Sequence, residues 1–223
     1  MAYRREEFAV DQWYHCYTRS IDKKAVFETE RDYERFLQAL YICNGSRTIR
    51  RGAMYSPSHG RLLSLPRGNP LVSIGAYCLM PNHFHLLLQE ITDGGISTFM
   101  QKVGTSFSMY FNVKRQHVGN VFIKPFRSKR IDDDAYLQHV AQYIHFNPAE
   151  LFEREWKSGY VKNMGSLEQK LKTYRYSSLP DYEGIKRPEN SILDTGAMSM
   201  FEKRPALRGM LIEAAEYYAD LPV

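Results

Sequence analysis

The chain has 223 residues, 43% of them hydrophobic, enough for one globular core with additions and too apolar for a disordered chain. Its three cysteines, Cys16, Cys43 and Cys78, are odd in number and far apart, which excludes a disulfide framework and a Cys-x-x-Cys metal knuckle and leaves them as small buried apolar residues. Net charge is +5, but thirteen Lys or Arg against only Glu90 and Asp93 lie between Arg35 and Ile131, so the rest of the chain is net negative and the middle suits a polyanion partner, with a solvated basic face as the plainer reading.

In chain order, residues 12–20 are rich in strand formers and predict a first strand. Alternation puts Trp13, His15 and Tyr17 on one face and Tyr14, Cys16 and Thr18 on the other; His15 could approach a bound metal, with a packed sheet histidine as the better reading. Glu30 to about Cys43 predicts a helix, with Tyr33, Phe36, Leu37, Leu40 and Tyr41 as its apolar stripe. Residues 44–70 hold Gly, Ser, Pro and five arginines with little periodicity, which predicts a long loop suited to phosphate contact or a surface insertion. Strands follow over about 71–80 and 83–90, joined near Pro81-Asn82. After a turn at Asp93-Gly94-Gly95, Ile96 to about Arg115 predicts a long amphipathic helix. A fourth strand lies within Gly119–Ile131. Asp132-Asp133-Asp134 then opens a helix, acid side chains suiting its exposed N–H groups; it runs to about Phe146 and stops before Pro148. Leu137, Val140, Ala141 and Ile144 form its core stripe, and Tyr136, Tyr143 and Asn147 lie on one flank. Residues 151–223 read as a loop-rich extension ending in a helix over about Pro205–Tyr218. The βαββαβ order predicts a four-stranded antiparallel sheet with helices on one face. No run approaches the roughly 20 apolar residues that span a bilayer, and Met1–Glu7 has no apolar segment behind it; no membrane role and a cytoplasmic location are expected.

Within the strand that starts at residue 83, His83 and His85 share one face and Phe84, Leu86 and Leu88 the other. Two imidazoles on a rigid strand make a pair of metal ligands, or two buried histidines satisfied by neighbours. Basic residues interleave with Phe107, Tyr110, Phe111, Phe122 and Phe126, aromatics that suit either base stacking or a core. Phosphodiester transfer needs a neutralised phosphate and a nucleophile. Residue chemistry alone does not choose among sixteen tyrosines.

The wider string Tyr77-Cys78-Leu79-Met80-Pro81-Asn82-His83-Phe84-His85-Leu86-Leu87-Leu88 resembles the signature strand of single-tyrosine HUH (His-apolar-His) transposases, in particular the REP-associated tyrosine transposases. The resemblance continues at Asp32-Tyr33-Glu34-Arg35-Phe36, Phe99-Met100-Gln101-Lys102, Gly119-Asn120-Val121-Phe122, Phe126-Arg127-Ser128, Asp134-Ala135-Tyr136-Leu137 and Tyr143-Ile144-His145-Phe146-Asn147-Pro148. It covers most of residues 12–150. It implies a ferredoxin-like α+β catalytic domain over 1–150, carrying the basic insertion 44–70, with 151–223 outside the pattern. It also implies Tyr143 as the nucleophile, His83, His85 and Asn147 as ligands of Mg²⁺ or Mn²⁺, and a 5′-phosphotyrosine intermediate on single-stranded or hairpin DNA, in a monomer or homodimer. Arg47, Arg50, Arg51, Lys102, Lys114, Arg115, Lys124, Arg127, Lys129 and Arg130 are the candidate DNA-contacting cations. The chain departs from the family at Ile123-Lys124-Pro125, where relatives carry Gln and Gly, which leaves the DNA contacts of that strand open. A non-cleaving binder of this fold and a water-using metal phosphodiesterase or RNA nuclease are the alternatives.

Overall fold

A computed structural model describes residues 7–47, 58–158, 160–199 and 209. Arg50, Arg51 and the expected helix over about Pro205–Tyr218 fall outside these, the single residue 209 apart. The described elements are β1 (Trp13–Arg19), α1 (Glu30–Cys43), α2 (His59–Leu62), β2 (Val72–Met80), β3 (His83–Glu90), α3 (Gly95–Arg115), β4 (Arg127–Ile131), α4 (Asp134–Phe146), α5 (Ala149–Phe152), α6 (Met164–Lys172), α7 (Leu179–Tyr182) and α8 (Thr195–Ser199). The strands form one antiparallel sheet in the order β2-β3-β1-β4, so the expected βαββαβ core is present. Among the described residues no helix is long and apolar enough to cross a membrane.

Local chemistry fixes where the helices begin. At α1, the Asp32 carboxylate accepts from the Thr29 N–H at 2.9 Å and the Thr29 hydroxyl at 2.8 Å, a capping arrangement that satisfies a donor the helix itself leaves open. At α3 the buried Glu90 carboxylate accepts from the N–H groups of Gly95 and Ile96 at 3.1 and 2.6 Å. Gly94, just ahead, has φ 70°, a conformation glycine adopts without steric cost. The Asp133 side chain accepts from Tyr136 N–H at 2.7 Å and opens α4, as the acidic triplet suggests.

Alternation along β3 divides the core. Phe84 packs on Phe36 and Phe122, with ring centroids 4.7 and 5.2 Å apart, and Phe27 and Phe107 complete the cluster. This face lies under α1 and α3. The expectation that helices cover one face holds for those two and fails for α4. Tyr143 on α4 meets His85, whose side chain lies opposite that of Phe84, so α4 covers the other face. Helical periodicity identifies the buried stripe of α4 but carries no information about which side of the sheet receives it.

β4 lies within Gly119–Ile131 as expected; ahead of it the chain leaves the ladder and returns to bridge Phe122 to Ser20 at the end of β1, burying Val121 and Phe122, and Pro125 has no N–H to offer a ladder. One other expectation changes. Within 44–70, the described part includes the one-turn helix α2, whose Ser58 hydroxyl accepts from Arg61 N–H at 3.4 Å. His59 on it lies 3.1 Å from Glu189.

Residues beyond 150 pack into the same core, through Trp156, Leu167, Leu171, Leu179 and Ile192. Their backbone also bonds the outer side of β2. Leu79 N–H donates to Tyr176 O at 2.9 Å, Ser178 N–H to Tyr77 O at 2.9 Å and Asp194 N–H to Ile74 O at 3.0 Å. Arg187 fixes this segment, donating to Asp181 and to Tyr77 Oη at 3.0 Å each.

Candidate active site

Antiparallel register sets the site. Tyr17 stands opposite His85 and Arg19 opposite His83, and directly opposed residues share a sheet face. His15, two residues before Tyr17, is on that face as well. α4 lies above it, and i, i+4 spacing puts Tyr143 and Asn147 on one side of the helix. Asn147 Oδ1 comes to 3.4 Å from His83 Nε2. The Tyr143 ring stands edge-on to His85 and His15, with centroids 5.3 and 5.5 Å apart. His83 and His85 are themselves 5.2 Å apart, edge to face. The four residues singled out for catalysis and metal binding therefore converge.

The histidines are neutral. Burial, with the charge of Arg19, lowers His83 to about 4. Burial and the charge of Lys129 lower His15 to about 3. His85 is held well below its ordinary value by burial, then by its histidine neighbours and Arg19. Each imidazole thus keeps a lone pair at neutral pH, the form that binds metals.

Hydrogen bonds fix which nitrogen of His83 offers that pair. Asn82 Nδ2 donates to Lys23 O at 2.9 Å, which turns its Oδ1 toward His83 Nδ1, 2.7 Å away. An oxygen acceptor there requires Nδ1 to carry the proton, so Nε2 is bare and faces Asn147 Oδ1. Two acceptors facing each other at this distance suit a shared cation, since adjacent ligands of octahedral Mg²⁺ sit roughly 3 Å apart. Among the described residues no three His, Cys, Asp or Glu side chains gather as a metal centre. Two imidazoles and an amide fit a divalent ion that keeps solvent ligands.

The candidate DNA-contacting cations divide. Arg127 and Lys129 on β4 stand opposite Tyr17 and His15, on the histidine face, with Lys129 Nζ 5.0 Å from the Tyr136 ring. Lys124 is exposed just before β4, and Arg47 is exposed after α1. Arg130 points to the opposite side of β4 from Lys129 and lies 3.2 Å from Asp132. Three others are engaged within the fold: Lys102 donates to Gly45 O at 3.0 Å, Lys114 to Asp32 at 2.5 Å, and Arg115 pairs with Glu28. Arg19 and Lys157, not among the candidates, both act electrostatically on His83 and His85. Arg19 was legible, because the alternation Trp13, His15, Tyr17 continues to it. Lys157 lies beyond 150, where no motif points to it.

This fold has a counterpart among solved structures, and part of the chain matches a known family. Residues 69–147, the stretch carrying His83, His85, Tyr143 and Asn147, match the family described as "Transposase IS200 like". The whole structure is similar to that of a REP-associated tyrosine transposase solved bound to a REP hairpin, at TM-score 0.51 and 15% identity, covering 85% of this chain and 90% of that one. The likeness thus takes in more of the chain than residues 1–150. No curated protein matches the chain.

Proposed function

We propose that the protein is a divalent-metal-dependent nicking and joining enzyme for single-stranded or hairpin DNA, acting through Tyr143. The observation that carries this is the meeting of α4 with β3: Asn147 Oδ1 3.4 Å from His83 Nε2 and the Tyr143 ring 5.3 Å from His85. His83, His85 and Asn147 would hold Mg²⁺ or Mn²⁺. A bound ion would polarise a non-bridging phosphate oxygen. Tyr143 Oη gives up its proton to solvent and forms the bond to phosphorus, the bond from phosphorus to the 3′ oxygen breaks, and that oxygen takes up a proton from solvent and leaves as a 3′-OH, so no net proton is gained or lost. Arg19, Arg127 and Lys129 supply positive charge around the phosphates. The hairpin bound by the structural relative supports a hairpin with single-stranded flanks as the first substrate to try.

Tyr143 is only 1% exposed, so a scissile phosphate has to displace part of its cover. That burial favours one second reading, a DNA-binding protein of this fold that does not cut. Denaturing gels with labelled hairpin DNA separate the readings. The expected result is a covalent protein–DNA adduct that needs Mg²⁺ or Mn²⁺ and disappears in Tyr143→Phe. That variant should keep DNA binding and lose about 1 kcal/mol of stability at most. Cutting by Tyr143→Phe without an adduct would establish a water-using phosphodiesterase. Binding without cutting by the unaltered protein in either metal would establish the binder.

A further inference from the structure

The Nδ1 atoms of the two β3 histidines each have a partner, but of different kinds. His83 meets a fixed acceptor, Asn82 Oδ1. His85 meets another imidazole, with His15 Nε2 2.9 Å from His85 Nδ1. One proton sits between those two nitrogens, and the side it occupies decides what His85 can bind. If His15 holds it, His85 accepts at Nδ1 and carries its own proton on Nε2, leaving no lone pair for a cation. If His85 Nδ1 holds it, His85 Nε2 is bare, as His83 Nε2 is.

We infer that His15 is a positioning residue: it accepts a hydrogen bond from His85 Nδ1–H and thereby commits His85 Nε2 to the cation, as Asn82 does for His83. The inference rests on the proposed metal role of His85. Second-sphere acceptors of this kind set the tautomer and ring orientation of ligating histidines. His15 is fixed for the task. It is 0% exposed, so no bulk water can replace it. Its ring stacks on Tyr17 at 4.8 Å and meets the edge of Tyr143 at 5.5 Å. One strand residue thus touches a proposed ligand and the proposed nucleophile, and a loss of His15 reaches both.

Nitrogen-15 NMR of the metal-free, imidazole-labelled full chain reads the tautomer directly, and Mn²⁺ titration by electron paramagnetic resonance reads affinity without reference to cleavage. The expected spectrum shows His85 protonated at Nδ1 and bare at Nε2, with the Nε2 signal moving on Mg²⁺ addition. His15→Phe, which keeps a ring in the buried site but offers no acceptor, should weaken Mn²⁺ binding by about 10- to 100-fold. His15→Gln, whose carbonyl can accept, should recover part of that loss. Circular dichroism establishes that each variant is folded. If His15→Phe does not fold, the spectrum of the unaltered protein alone decides. A proton on His85 Nε2 in the metal-free protein, or unchanged Mn²⁺ affinity in folded His15→Phe, overturns the inference. Absence of any Mn²⁺ binding that His83→Ala removes would instead overturn the metal role on which it rests.

Discussion

Phe84 and its two strand neighbours, His83 and His85, face opposite sides of one sheet and meet opposite kinds of surroundings. Phe84 enters an aromatic cluster with Phe36, Phe107 and Phe122. The histidines enter a buried polar pocket roofed by α4, with His15, Tyr143 and Asn147. Burying polar groups costs free energy unless each finds a partner, whereas burying rings contributes roughly 25 cal/mol per Å² of apolar surface. The difference teaches a division of labour: α1 and α3 hold the sheet rigid from one side, so that the other side can keep the imidazoles and the α4 side chains in place.

The hardest blow to that division is a cavity on the apolar side. Phe36 is fully buried, and Phe36→Ala should cost about 3–5 kcal/mol in urea unfolding. A loss below about 1 kcal/mol would mean the aromatic cluster is not what holds the sheet. A smaller effect, and one that depends on pH, belongs to Asp32, the polar clasp between α1 and α3. Burial raises this carboxyl, but hydrogen bonds from Lys114, Tyr110 and Thr29 outweigh it and hold it well below the usual carboxylate range. A depressed folded-state carboxyl contributes stability that is complete above its unfolded value of about 4 and fades as pH falls further. Asp32→Asn should therefore cost about 2 kcal/mol at pH 7, with the gap to the unaltered protein narrowing from about pH 5 to about pH 2. A gap that stays constant over that range would place the stabilisation elsewhere.

The smallest effect sharpens the comparison on a single strand. Lys129 lies on the histidine face and Arg130 on the other, beside Asp132. Lys129→Ala should make the salt dependence of single-strand DNA binding shallower by about 0.7 in the log–log slope, one phosphate contact's worth. Arg130→Ala should leave it unchanged. Equal slopes for the two variants would dissolve the distinction between the faces.

Much of this arrangement is legible in the sequence because it depends on local period. Alternation in β3 separates His83 and His85 from Phe84, the i, i+4 spacing pairs Tyr143 with Asn147, and α1 spans the expected Glu30 to Cys43. What was not legible depends on partners distant in the chain. The pairing of His15 with His85 requires the β1–β3 register, in which His15 stands opposite Leu87 and diagonal to His85. No periodicity in either strand contains that offset. Lys114 and Arg115 read as free cations because Asp32 and Glu28, which engage them, lie in α1 and the turn before it. Lys124 and Arg47 are exposed.

The bonds that residues 176–194 make along β2 have a consequence of another kind. β2 is an end strand whose nine residues are all buried, the sort of apolar, hydrogen-bond-ready edge onto which strands of other molecules add. Tyr176, Ser178 and Asp194 occupy the free donors and acceptors of Ile74, Tyr77 and Leu79. Sheet-to-sheet joining of two molecules through this edge is thereby closed off. A chain shortened to the core alone would present the bare edge to its own copies, and self-association into β-rich aggregates would compete with folding.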